Sequence, residues 1–305
     1  YSTEIEAGGI LRVPAGVTGI RLGNVSGTGT IVLNDTELMP TGEYSSFFAC
    51  DGGAIQYSGT TDYSVLSGVS QIRAVTFEGS GTRTMPNNNL SVCDVLVING
   101  PTVAFNSGRT RIIGDDDAEA DGLDIQAGVV TLTNATVLDI TGDFSLSGGS
   151  FTGQSGTSIE ITDDVSFSAG TLNWNNSDVI LNGTTEQIID GSFTGTAGFE
   201  DVLVNNTSTA GVTLNSGDIE VNGVLTLTDG LVNTTSTETL TITSTGSWTG
   251  ATSASHVTGP VTKQDIAVAS TYEFPVGKTA RYSPISVVNV VTGADDWTAE
   301  YFTST

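Results

Sequence analysis

Basic residues are scarce in this sequence: 9 lysines and arginines stand against 34 aspartates and glutamates, a net charge of −25 over 305 residues. Such a chain repels phosphate backbones and anionic lipid surfaces, so nucleic acid and polybasic membrane docking are poor partner classes for it. After Arg111 the next basic residue is Lys263. The carboxylates scattered through that interval suit a solvated, cation-attracting exterior. Apolar runs are short as well: none approaches the roughly 18 residues of a membrane-spanning helix, and direct membrane insertion is not expected. Histidine occurs once, at His256, which leaves Ser-His-Asp and Cys-His chemistry resting on a single residue. Two cysteines, Cys50 and Cys93, fit neither a metal spacing nor a dense disulfide framework. They are read either as one bridge formed outside the cell or as two unrelated thiols. The sequence opens at Tyr1 without a basic or apolar leader, so an export signal is expected to have been removed or to lie outside it.

Glycine, by contrast, is abundant at 38 residues, and small polar residues fill much of the remainder. That balance favours turns and strands over long helices. In "DIEVNGVLTLTDGLVN" (218–233) Ile219 and Val221 alternate with polar neighbours, Asn222-Gly223 turns the chain, Leu225 and Leu227 alternate again, and Asp229-Gly230 turns it once more. Period two with Asn-Gly and Asp-Gly punctuation specifies strands. Similar phrases begin at Ala135, Thr157, Ser177, Phe199 and Thr237, at a start-to-start spacing of about 20 residues, within the range of solenoids, propellers and arrays. A longer repeat of about 125 residues relates 56–68 to 180–192 and 86–100 to 215–230, and it sets Cys93 where Asn222 stands, at a turn.

Hairpins in a sandwich or propeller are the rival architecture. A propeller blade needs about 40 residues, twice this period, whereas single Asn, Asp and Gly residues suit the corners of a stacked coil. The fold class predicted is therefore all-β, a parallel β-helix or β-solenoid of some ten to twelve coils, with about 4.8 Å per coil. Residues 1–53 read as an N-terminal β segment or cap, 54–255 as the repetitive β-solenoid, and 256–305 as a C-terminal β module or cap, expected to continue into a longer parent. In that last stretch the pattern breaks, and Pro260, Pro275, Pro284, both lysines and Arg281 gather there.

Several phrases carry a resemblance. "GSGTRTMPNNNLSV", "NGTTEQII", "VNGVLTLTDGLVN" and above all "HVTGPVTK" followed by "YEFPVGKTARYSPISV" resemble the large repetitive surface proteins that Bacteroidota-type bacteria export by the type IX secretion system. Adhesins and proteins of gliding motility are found among them. The resemblance implies a secreted, cell-surface protein.

Among candidate sites, "GDDDAEADG" (114–122) sets Asp115, Asp117, Glu119 and Asp121 in alternation, so that an extended loop would turn their carboxylates to one side as hard oxygen ligands for Ca²⁺. Its spacing is not that of an EF-hand, and a solvated acidic loop is the plainer reading. Trp174 and Trp248, read as lying near turns, are candidate glycan-stacking platforms, with capping of a coil edge as the plainer alternative. Glycoside hydrolysis would require two facing carboxylates, for which Asp143, Asp163 and Asp164 are the candidates. A lyase acting on acidic sugars would need cationic groups, and none lies between Ile112 and Thr262.

The function expected from these readings is a non-enzymatic, extracellular adhesin segment that presents an acidic solenoid face, Ca²⁺-bridged at 114–122, to glycans or other surfaces. The alternatives are a structural stalk or filament subunit that pairs with neighbouring copies, and a β-helix polysaccharide lyase or hydrolase.

Overall fold

Alternating Val, Ile and Leu between Asn, Asp and Gly corners folds as short parallel strands stacked coil upon coil. A computed structural model describes residues 1–36, 38–105, 109–112, 122–133, 137–291 and 295–303. The chain is a parallel β-solenoid of about 12 turns, and among the described residues the one helical element is the 3-10 turn Gly195–Ala197. It divides into two compact units, residues 1–157 with 169–171, and residues 158–168 with 172–305. Residues 1–53 already form coils, and 256–305 belong to the second unit.

In the first unit one face is the ladder Ile10–Val13, Thr30–Asn34, Ala54–Ser58, Ala74–Glu78, Val95–Phe105, Gly122–Leu132 and Asp143–Leu146, with every pairing parallel. Register stacks Ile31, Ile55, Val75, Leu96, Leu123 and Phe144 in one column, all of them buried. A second face stacks Ile72, Val92, Ile112 and Ile140 likewise. Each coil buries the apolar face of the one before it, so the hydrophobic contribution accrues coil by coil.

The second unit repeats the scheme. Its strands Ser158–Ile161, Asp178–Leu181, Asp201–Asn205 and Val224–Asp229 stack Ile159, Val179, Val202 and Leu225, and beside them Ile161, Leu181, Val204 and Leu227. A third face runs through Ile219–Val221, Leu240–Ile242 and Val261–Ile266. There the direction changes. Val261–Ile266 pairs parallel with Leu240–Ile242 on one side and antiparallel with Asp295–Ala299 on the other, and Thr271–Phe274 and Ile285–Val288 form an antiparallel pair.

One corner of the first unit shows why glycine recurs. Gly59, Gly79, Gly100, Gly128 and Gly149 all have positive φ, in the left-handed region that side chains avoid. They also lie over one another. A Cβ on Gly79 would stand 2.1 Å from the Gly59 carbonyl oxygen, and one on Gly100 would stand 2.2 Å from that of Gly79. A side chain at any of these positions forces neighbouring coils apart. Gly100→Ala is therefore expected to destabilise the protein by about 3 kcal/mol or more, combining strain with overlap. Gly68→Ala, at a positive φ with open space around it, should lose only the conformational cost of about 1–2 kcal/mol. Urea unfolding followed by circular dichroism checks the pair. Equal midpoints for the two variants would show that coil contact at Gly100 is not limiting.

Candidate functional site

Where the chain turns out of the ladder, its N–H groups leave their strand partners and need acceptors. Aspartates provide them. Asp62 accepts the Thr82 N–H at 2.6 Å, Asp201 that of Val224 at 2.7 Å and Asp218 that of Thr239 at 2.8 Å. Asp35 accepts from both Thr60 and Thr61, and these two peptide donors hold its carboxyl below the ordinary range. In each case the donor lies 20 to 26 residues further on, one coil away. These four aspartates, read as part of a free, cation-attracting exterior, thus serve as corner acceptors.

Buried polar side chains serve the same corners. The Arg83 side chain is fully buried, donates to the Thr61 and Gly59 carbonyls at 2.6 and 3.2 Å, and lies 4.3 Å from the centre of the Tyr63 ring. In the related phrase of the second unit, Gln187 accepts the Gly183 N–H at 2.9 Å and donates to the Ile161 and Asp163 carbonyls. Lys263 is buried beneath the 243–246 turn, where the carbonyls of Thr243, Ser244 and Gly246 accept from its ammonium. Burial draws its pKa downward.

The acidic stretch Asp115, Asp117, Glu119 and Asp121 lies outside the described residues. Of the carboxylates considered for hydrolysis, Asp143 belongs to the first unit and Asp163 and Asp164 to the second. Burial raises the pKa of Asp164, and the charges of Asp163, Glu186 and Asp190 raise it further, against the Ile188 N–H that it accepts at 2.6 Å.

The two tryptophans stand differently from the expectation. Trp174 is fully buried, stacks on Phe199 with ring centres 5.4 Å apart and donates its indole N–H to the Ala197 carbonyl at 3.0 Å. Phe199 stacks in turn on Phe193. No sugar reaches a ring enclosed in this way, so the glycan-contact reading of Trp174 is corrected to core packing. Trp248 is half-buried in the strand Ser247–Thr249 rather than at a turn, paired with Leu225 in the inward column, and its indole donates to the Glu273 carbonyl at 2.6 Å. His256 is buried too, with Nδ1 2.9 Å from the Thr252 carbonyl and its ring against Gly277.

Cys50 and Cys93, 43 positions apart in the sequence, form a disulfide with Cα atoms 5.3 Å apart. Cys93 sits at the bend after Leu90–Val92, and Cys50 in the turn-rich segment 45–52. That segment interrupts the repeat, and its Phe48 helps to line a half-open cleft of about 620 Å³ in the first unit. Tyr44, Phe48, Tyr57 and Leu66 line it, with Leu38 and Ser67 at its lip. Tyr44 and Phe48 stack at 5.5 Å and 24°. The Tyr44 hydroxyl donates to the Pro40 carbonyl at 2.7 Å, and burial lifts its pKa to about 12. None of these residues forms a spaced motif, and they went unrecognised in the sequence. The aromatic run in "EYSSFFAC" (43–50) was the available signal, because it breaks the period-two pattern.

Compared with protein-family models, curated proteins and solved structures, the chain matches none.

Closing a loop of this length, the disulfide is expected to contribute about 2–4 kcal/mol, mostly by restricting the unfolded chain. The Cys50→Ser/Cys93→Ser double variant should unfold at a correspondingly lower urea concentration, and an unchanged midpoint would contradict this. For Asp164 the folded pKa lies above the ordinary 3.8. Stability is therefore lost as pH rises from that value through the raised one, because the unfolded chain releases its proton first. Asp164→Asn keeps an oxygen for the Ile188 N–H, so the variant's stability should fall less than the wild type's over that window. Parallel pH profiles for the two proteins would exclude Asp164 as the source.

Proposed function

We propose that the chain is a non-enzymatic segment of an extracellular surface adhesin, whose solenoid coils hold an acidic face out to glycans or other surfaces. The Cys50–Cys93 disulfide carries this reading, because such bonds persist in oxidising compartments outside the cytosol. The solenoid supports it, since stacked coils generate extended surface while each contacts only its neighbours. The resemblance of "HVTGPVTK" and "YEFPVGKTARYSPISV" to type IX-secreted surface proteins points the same way. In this reading the antiparallel strands after residue 261 close the end of the core, and 114–122 remains the proposed place for Ca²⁺.

A fibre subunit is the second reading. The edge strand Asp295–Ala299 leaves Trp297 41% exposed, and Val288, Val291 and Phe302 of the same unit are more exposed still. Unpaired edges beside apolar side chains are the usual templates for pairing between copies.

Immunogold labelling of intact cells that produce the protein, with an antibody against residues 1 to 305, tests the proposal. Label over the outer surface is the expected result, and label along extended fibres would favour the second reading. Label confined to the interior would overturn both.

A further inference from the structure

We infer that the cleft walled by the Tyr44–Gly53 segment is a binding site for a neutral saccharide, with the Phe48 ring as its stacking face and the Ser64 and Ser67 hydroxyls at its lip. This deepens the adhesin reading and rests on it for the biological source of the sugar, while the cleft's chemistry stands apart from where the protein resides.

Size and charge narrow the ligand first. A concavity of about 620 Å³ falls within the range that holds small ligands. Among the described residues no Asp, Glu, Lys, Arg or His lines it, and the Tyr44 phenol stays protonated through neutral pH. A charged ligand would therefore enter without a counter-charge, and an anion would also face the field of a chain carrying −25.

The lining has two kinds of surface. Tyr44, Tyr57 and Leu66 are buried and make an apolar floor, while the half-buried Phe48 presents a ring already held flat by its stack on Tyr44. The phenol oxygens are engaged within the protein: Tyr44 donates to Pro40, and Tyr57 accepts the Leu66 N–H at 3.2 Å. Ser64 and Ser67 are exposed, and their hydroxyls have no protein hydrogen-bond partner among the described residues. A pyranose ring offers the complement, a C–H face for the aromatic ring and hydroxyls around its edge. A hydrocarbon ligand would leave the serine lip unmatched.

The site is also built in advance. The disulfide ties Cys50 to the neighbouring coil, and Phe47 packs so closely on Gly53 that a Cβ there would lie 2.0 Å from its ring. The Gly53 N–H donates to the Phe47 carbonyl at 2.8 Å, closing the loop. In the floor Leu66, a buried non-glycine residue, holds φ at +54°. The Tyr57 hydroxyl and the bond from the Val69 N–H to the Leu66 carbonyl at 3.0 Å keep it there. A left-handed residue held by its surroundings is a common feature of ligand clamps, and rigidity of this kind lowers the ordering cost of binding.

The test applies the whole chain to an immobilised panel of neutral hexose and N-acetylhexosamine glycans, beside uncharged aliphatic and aromatic probes. The wild type should bind at least one glycan in preference to the hydrocarbon probes. Phe48→Ala should weaken that binding about tenfold, the equivalent of one lost aromatic stacking contact. Ser67→Trp, which fills the cleft from an exposed position, should abolish it with the circular dichroism spectrum unchanged, and Val268→Ala, at an exposed position of the other unit, should bind as the wild type does. Binding that survives Ser67→Trp, preference for the hydrocarbon probes, or no capture by the wild type would each overturn the inference. Surface label without glycan capture would sink the cleft alone. Capture by a protein labelled only inside cells would sink the adhesin reading and leave the cleft standing.

Discussion

In a parallel stacked coil every corner peptide lies over the corresponding peptide of the coil before it, at a separation set by the hydrogen-bond ladder, about 4.8 Å. Two demands follow at once: nothing with a side chain fits where the corners meet most closely, and the N–H groups that leave the ladder must find acceptors. The glycines at 59, 79, 100, 128 and 149 answer the first, each standing where a Cβ would overlap a neighbouring coil. Asp35, Asp62, Asp201 and Asp218 answer the second from one coil away. Composition and fold are thereby linked, since the surplus of glycine and part of the surplus of acid come from the same repeated geometry.

Two of the nine basic residues fit this account. Arg83 and Lys263 are buried rather than displayed, and each donates to several carbonyls of a turn. An ammonium or guanidinium removed from water is costly unless its donors are satisfied, and corner carbonyls that have left the ladder provide several acceptors in one place. Two of the cations are thereby withdrawn from solvent, while Arg12, Arg21 and Arg281 remain exposed. The surface has little to offer an anionic partner.

The cleft occurs where the repeat is interrupted. Regular coils bury their apolar residues against one another and leave little concavity, so a site has to be made by departing from the pattern. The segment from Tyr44 to Gly53 does so, with aromatic residues in succession and a disulfide to hold them. A long irregular excursion from a solenoid would ordinarily be among its less stable parts. Here the Cys50–Cys93 bond and the packing of Phe47 on Gly53 counter that tendency.

The sequence by itself determined the class of fold, because period-two alternation, a spacing of about 20 residues and glycine-marked corners are local properties that only stacked parallel strands satisfy together. It also placed Cys93 at a turn, and turns are where it and Cys50 lie. Other features depended on which residues meet across coils. Trp174 beside Asn175 looks like a surface platform in one dimension, yet register carries its ring beneath Phe199, out of solvent. Asp201 reads as one more exposed acid until the coil above brings Val224 to it. The compact units follow contacts between distant residues, which a repeat pattern does not display. Phe48 and Ser67 stand 19 positions apart, and no sequence pattern links them. Only the stacking of successive coils brings such residues to one cleft, since contacts between coils form between residues far apart along the chain.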